Sequence, residues 1–100
     1  MSADREYREQ GTAAYRKLRI PFDYSNLKKE IAKQYKTQRA FARAMGLPEN
    51  SVYRKLNGKS DWKQREIVAA SMLLDISFYL MPAYFFNVDT KREGRPHNEL

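Results

Sequence analysis

An all-α fold, a compact bundle of four to five short helices, follows from three features of the 100-residue chain. Apolar residues between Phe22 and Phe86 recur at steps of three and four, the spacing of one helical face. Two-residue alternation, the mark of a half-buried strand, appears nowhere at useful length. Gly46 and Gly58 stand between periodic stretches, where they act as stops. A chain of this size buries about two-thirds of its unfolded surface, enough for one modest core.

Each element has its own signal. Tyr24, Leu27, Ile31 and Tyr35 define the face of a first helix, with Asp23 or Ser25 to cap its start and Lys36 near its end. Thr37 caps a second helix through Met45 that turns Phe41, Ala42 and Met45 inward. Gly46 stops it, because glycine reaches the left-handed conformation a helix end often needs. A third helix from Glu49 to Leu56 buries Val52 and Leu56 and ends at Asn57-Gly58. A fourth, Gln64 to Leu74, offers Ile67, Ala70, Leu73 and Leu74 to the core, with Trp62 as its anchor. Ser77 to Met81 reads as a last turn of helix, broken before Pro82.

Charge and composition bound the function. Nineteen basic residues against twelve acidic ones give +7 and a pI near 9.8, which predicts attraction to polyanions. Eleven of the bases and six of the acids lie between Phe22 and Asn87, so most of the excess belongs to the expected folded segment. Residues 1–21 read as a flexible basic arm, 22–87 as the domain and 88–100 as a disordered tail that contains His97. With no cysteine and one histidine, a disulfide framework or a Cys/His metal site is excluded. The longest apolar run, Phe78 to Phe86, is far short of the roughly 20 residues a spanning helix needs. No secretory signal is visible, and no Gly-rich phosphate loop, carboxylate pair or nucleophile–base set points to an enzyme. No cofactor is expected.

The segment TQRAFARAMGLPENSVYRKLNG, Thr37 to Gly58, carries the functional information. Ala42 is small where two helices must cross closely, Gly46 makes the turn, and Leu47, Val52 and Leu56 wedge the pair at a fixed angle. Such a helix-turn-helix presents its second helix outward, at a size that fits the DNA major groove. At 100° per residue, Val52 and Leu56 set a core direction and Arg54 points opposite to it. Asn50 and Ser51 lie within about 60° of Arg54, with Glu49 and Tyr53 on one flank and Lys55 on the other. Asparagine can bond adenine and arginine guanine through paired edge atoms, and Glu49 can accept from cytosine. Lys28, Lys29, Lys33 and Lys36 read as a solvated helix face that also steers a polyanion.

Together with FDYSNLKKEI, the closing RKLNGK and the run from IVAASMLLDI to AYFFN, this motif resembles the phage repressor/Cro-type helix-turn-helix family. More narrowly, it is similar to small regulators of that type from phages of Gram-positive bacteria, over about Phe22 to Phe86. The resemblance implies a lambda-repressor-like domain that binds a double-stranded DNA operator in the cytoplasm of a bacterial host and regulates transcription by occupancy. It assigns base reading to Glu49, Asn50 and Arg54, and the outward geometry adds Ser51 to them. Phosphate contacts fall to Thr37, Gln38, Tyr53, Lys55, Asn57 and Lys59. Two departures are Pro48, where a small hydroxyl cap is usual, and Trp62-Lys63, where a capping residue should precede the fourth helix. The aromatics Phe78, Tyr79, Tyr84, Phe85 and Phe86 exceed what a short last turn can hide, which points to a homodimer contact. Two rivals remain: an antitoxin- or antirepressor-type protein-interaction module on the same fold, and an RNA-binding helical domain. The second is disfavoured because single-strand readers place aromatics among their bases, and the outward face of the third helix has only Tyr53 nearby.

Overall fold

The computed structural model describes residues 14–15 and 18–89. The arm and tail expected at the two ends fall largely outside these residues, as does His97. Among the described residues five α-helices follow in order: α1 (Ser25–Tyr35), α2 (Gln38–Met45), α3 (Glu49–Leu56), α4 (Gln64–Leu73) and α5 (Met81–Phe85). Among the described residues, β-structure is confined to an antiparallel bridge between Phe22 and Val88. The Asp23 N–H donates to the Asn87 carbonyl at 2.7 Å and the Asp89 N–H to the Pro21 carbonyl at 2.9 Å. These bonds join the two ends of the domain, so Val88 and Asp89 belong with the folded part.

The core gathers Leu27 and Ile31 of α1, Phe41 and Ala42 of α2, Val52 and Leu56 of α3, Ala70 of α4, and Phe85 of α5. Trp62, in the loop before α4, meets Phe85 edge-to-face at 5.2 Å and Tyr24 at 6.4 Å, and so anchors α4 as expected. Tyr35 meets Phe41 edge-to-face at 5.4 Å across the α1–α2 corner. That corner is tight: the Thr37 N–H donates to the Tyr35 carbonyl at 2.8 Å while Lys36 sits at φ +73°. This is a γ-turn of the rare positive-φ form.

Three helices end by one device. The Leu47 N–H reaches back to the Ala42 carbonyl at 3.0 Å around Gly46 at φ +74°, and the Lys59 N–H to the Arg54 carbonyl at 2.8 Å around Gly58 at φ +74°. The Ile76 N–H does the same to the Ser71 carbonyl at 2.8 Å around Asp75 at φ +59°. Each bond satisfies a carbonyl the helix end would leave open.

Two sequence expectations are corrected. Leu73 is exposed and Ser71 takes the buried position, because Ile67, Ala70, Ser71 and Leu74 fall on one face at steps of three and four while Leu73 lies about 110° away. Pro82 does not break the last helix. It lies in the first turn of α5, where its missing N–H has no helical partner to lose.

A Cβ at Gly46 would meet nothing within 4 Å, so only backbone conformation opposes substitution there. Gly46→Ala is expected to cost about 1 kcal/mol, lowering the midpoint by about 4–8 °C for a domain of this size. Asp75→Gly, which relieves the same conformation, should leave the midpoint unchanged or raised. Thermal unfolding followed by circular dichroism checks both signs. Burial, with the Asp61 carboxylate adding to it, pushes the Tyr24 phenol up to about 12. Between pH 10 and 12 the unfolded chain, with an ordinary phenol near 10, releases a proton that the folded chain keeps. Stability therefore falls as pH rises through that window. Tyr24→Phe should flatten this part of the stability–pH curve.

Candidate interaction face on the α2–α3 pair

Thr37 stands before α2 in extended backbone, and its Oγ1 accepts the Ala40 N–H at 3.0 Å. The hydroxyl expected to touch phosphate is thus the helix cap. Gly46, Leu47 and Pro48 carry the chain to α3, and the Pro48 carbonyl accepts the Ser51 N–H at 3.0 Å. Pro48 supplies no side-chain cap. Glu49, in the first turn of α3, favours the helix dipole in its place.

Along the outer side of α3 the structure brings Glu49, Asn50, Tyr53 and Arg54 to the surface, with Ser51 half-buried beside them. Gln38 is half-buried at the start of α2, and Lys59 is exposed in the loop after α3. Several polar groups already have partners within the molecule. Arg54 Nε donates to Ser60 Oγ at 3.3 Å and its Nη2 to the Lys59 carbonyl at 3.3 Å, closing the guanidinium over the loop that follows. Asn57 donates to the Tyr53 carbonyl at 2.8 Å and accepts from Lys28 Nζ at 3.2 Å. Glu49 lies 3.8 Å from Arg39 Nε, an exposed pair of little energetic weight.

Lys55 is the clear correction. It is only 9% exposed, and its ammonium lies 3.5 Å from Glu66 Oε1, with both side chains nearly out of water. It is not presented to a phosphate. The same carboxylate oxygen accepts the Lys63 N–H at 2.8 Å, so Glu66 supplies the start of α4 with the cap the sequence lacked at Lys63. Tyr53 and Lys55 lie equally far from the core direction of α3, yet Tyr53 is exposed while Lys55 lies against Glu66.

Sequence reasoning passed over Arg39 and Arg43. Both are exposed on α2 at a spacing of four residues, which puts them on one helical face. That spacing was the available signal. Glu66, capping and pairing at once, was also missed; its position three residues after Lys63 was the cue. Among the described residues no group of three His, Cys, Asp or Glu side chains is placed to hold a metal ion. No helix of the described residues is long and apolar enough to cross a membrane.

These features define a small all-α domain with an outward helix, flanked by cations, as its candidate recognition surface. The chain belongs to the family described as "Protein of unknown function (DUF739)", whose model matches residues 20–88. Among solved structures it is similar to the modulator of repression (MOR) of the temperate bacteriophage TP901-1 from Lactococcus lactis. The two are 45% identical with a TM-score of 0.60, over 66% of this chain and 89% of that one. The resemblance read from the sequence therefore stands in its coarser form, as likeness to a small phage regulatory protein. A search of the curated proteins finds no match.

Removing Lys55 leaves the Glu66 carboxylate nearly buried without its cation. Lys55→Ala is expected to cost about 2 kcal/mol, below the range for a fully buried pair because both groups retain some water. The double variant Lys55→Met/Glu66→Gln should recover most of that loss. Its glutamine still accepts the Lys63 N–H, and methionine keeps the apolar stem. A double-mutant cycle in urea unfolding measures the coupling.

Proposed function

We propose that this chain modulates phage-type repression by docking its α2–α3 face on a repressor protein. The observation that carries this reading is its 45% identity, over 89% of the other chain, to a protein named for modulating repression. The chemistry of α3 supports it. Of the two cations on that helix, Lys55 is paired inward and Arg54 is folded onto its own loop. The outward face is left with a carboxylate, an amide and the half-exposed ring of Tyr53, beside Arg39 and Arg43 of α2. Aromatic and arginine side chains are the groups that most often dominate protein contacts. The other reading is operator DNA reading by Glu49, Asn50, Ser51 and Arg54, favoured by the +7 charge and by the exposure of Asn50 at the start of α3.

The test adds this protein to a phage repressor from the same genome, already bound to its operator duplex, and follows the mobility shift. The expected outcome is a change in the repressor's apparent operator affinity, while this protein alone selects no sharp site from random duplexes. Tyr53→Ala, and Arg39→Ala/Arg43→Ala, should each weaken the effect by about tenfold or more. A sharp site selected by this protein alone, and lost in Asn50→Ala/Arg54→Ala, would replace the docking reading with the DNA one.

A further inference from the structure

From Ile67 to Val88 the only charged side chain is Asp75. Part of that stretch closes the core through Ala70, Leu74, Ile76 and Phe85, but much of it does not. Met72 is 71% exposed, Phe78 66%, Tyr79 95% and Leu80 54%, with Leu73 at the edge of exposure beside them. All five lie on the last turn of α4 and the loop to α5. This loop leaves α4 where Gln34 and Tyr35, at the C-terminal end of α1, donate to the Leu74 and Leu73 carbonyls at 2.8 and 3.4 Å. It reaches α5 where Asn26, at the N-terminal end of α1, donates to the Ala83 carbonyl at 3.2 Å. The segment that carries these apolar side chains is therefore tied to both ends of α1 and is separate from the α2–α3 face. Of the aromatics the sequence marked for pairing, Phe85 is in the core and Tyr84 is half-buried; Phe78, Tyr79 and Phe86 remain outside.

We propose that Met72, Leu73, Phe78, Tyr79 and Leu80 form the contact between two copies of this chain, paired about a two-fold axis. Area supports a second copy as the occupant. A large aromatic side chain buries about 150–250 Å², so Phe78 and Tyr79 alone keep roughly 300 Å² in water, and the five residues together roughly 500–600 Å². That equals the largest apolar patch of a typical monomer. Two such patches face to face bury about 1,000–1,200 Å² in total, the low end of specific interfaces. Charge supports it as well. Two molecules of +7 repel across their basic surfaces, and the stretch from Ile67 to Val88 itself brings no cation to the contact. A two-fold contact needs only that one patch be self-complementary, which a set of aromatic and unbranched apolar side chains satisfies.

The pairing differs from polyanion binding in its response to salt. Screening removes the repulsion between the two +7 chains, so salt should strengthen it, whereas contacts to nucleic acid weaken. Sedimentation equilibrium of the full chain tests this, at about 5 to about 500 μM, in dilute buffer and in about 1 M salt, where the screening length is about 3 Å. The expected result is a monomer–dimer equilibrium in the micromolar range that tightens at high salt. Tyr79→Glu and Phe78→Ser should each weaken it at least about tenfold with an unchanged melting midpoint. Should either variant melt early, Met72→Lys is read in its place. A wild-type monomer at every concentration and salt overturns the proposal, and so does a dimer that these substitutions leave intact. A monomer whose patch variants lose repressor binding instead assigns the surface to the foreign partner, and overturns it too. Failure of the docking reading leaves this result untouched, because the two experiments probe different residues.

Discussion

The Glu66 carboxylate receives donors from two directions, the Lys63 N–H at 2.8 Å and the Lys55 ammonium at 3.5 Å. The first bond starts α4. The second ties the flank of α3 to that start, and α3 otherwise rests mainly on α2 through Val52 and Leu56. An eight-residue helix held along one apolar edge is free to roll about that edge. A charge pair on its flank, nearly out of water, removes the freedom. Val52 and Leu56 set which side chains of α3 face outward, and an acid on the next helix adds to that restraint by holding Lys55. Replacing the pair by apolar residues need not cost stability, but it would give up the angular restraint, and the recognition surface depends on that restraint.

None of the helices is long enough to be stable in isolation. Their existence rests on packing and on how each one stops. The left-handed residues Gly46, Gly58 and Asp75 close α2, α3 and α4 with the same backward hydrogen bond, and Lys36 turns the chain sharply after α1. Short helices joined by such abrupt turns leave little loop to order. Trp62 then compensates for the small core, meeting both Phe85 and Tyr24 edge-to-face. The bridge at Phe22 and Val88 closes the ends over it.

The helices were legible in the sequence because their signals are local. Thr37, Gly46 and the 24/27/31/35 spacing specify their own conformations. Where the reading failed, the deciding contact came from elsewhere in the chain or the residue type outweighed its angle. Leu73 was assigned inward on hydrophobicity although its angle placed it outside, and Ser71 was passed over for the converse reason. Pro82 reads as a breaker in the sequence because nothing local distinguishes a proline that ends one turn from a proline that starts the next. The candidate site was legible as a set of positions on α3, but not in its pairing. A helical wheel places Lys55 and Tyr53 symmetrically about the core, and no local pattern says that Glu66 covers one of them. Likewise, the closure of Arg54 onto Ser60 and Lys59 depends on a loop shape that Gly58 permits but does not announce.

The surface chemistry divides accordingly. Charge is concentrated on α1, α2 and the loops around α3, while the chain from Ile67 to Val88 holds one charged residue. Long-range attraction and steering therefore belong to the first region and short-range apolar contact to the second. A regulator that pairs through the uncharged stretch presents two α2–α3 faces at a fixed separation. When its target is itself two-fold, the second contact becomes intramolecular, and modest single contacts add up to firm binding. The weakness of each surface taken alone then has a use. On the proposed pairing and docking, an interface near the lower size limit and a helix with its cations engaged would hold firmly only when both operate together, so binding would respond steeply to concentration.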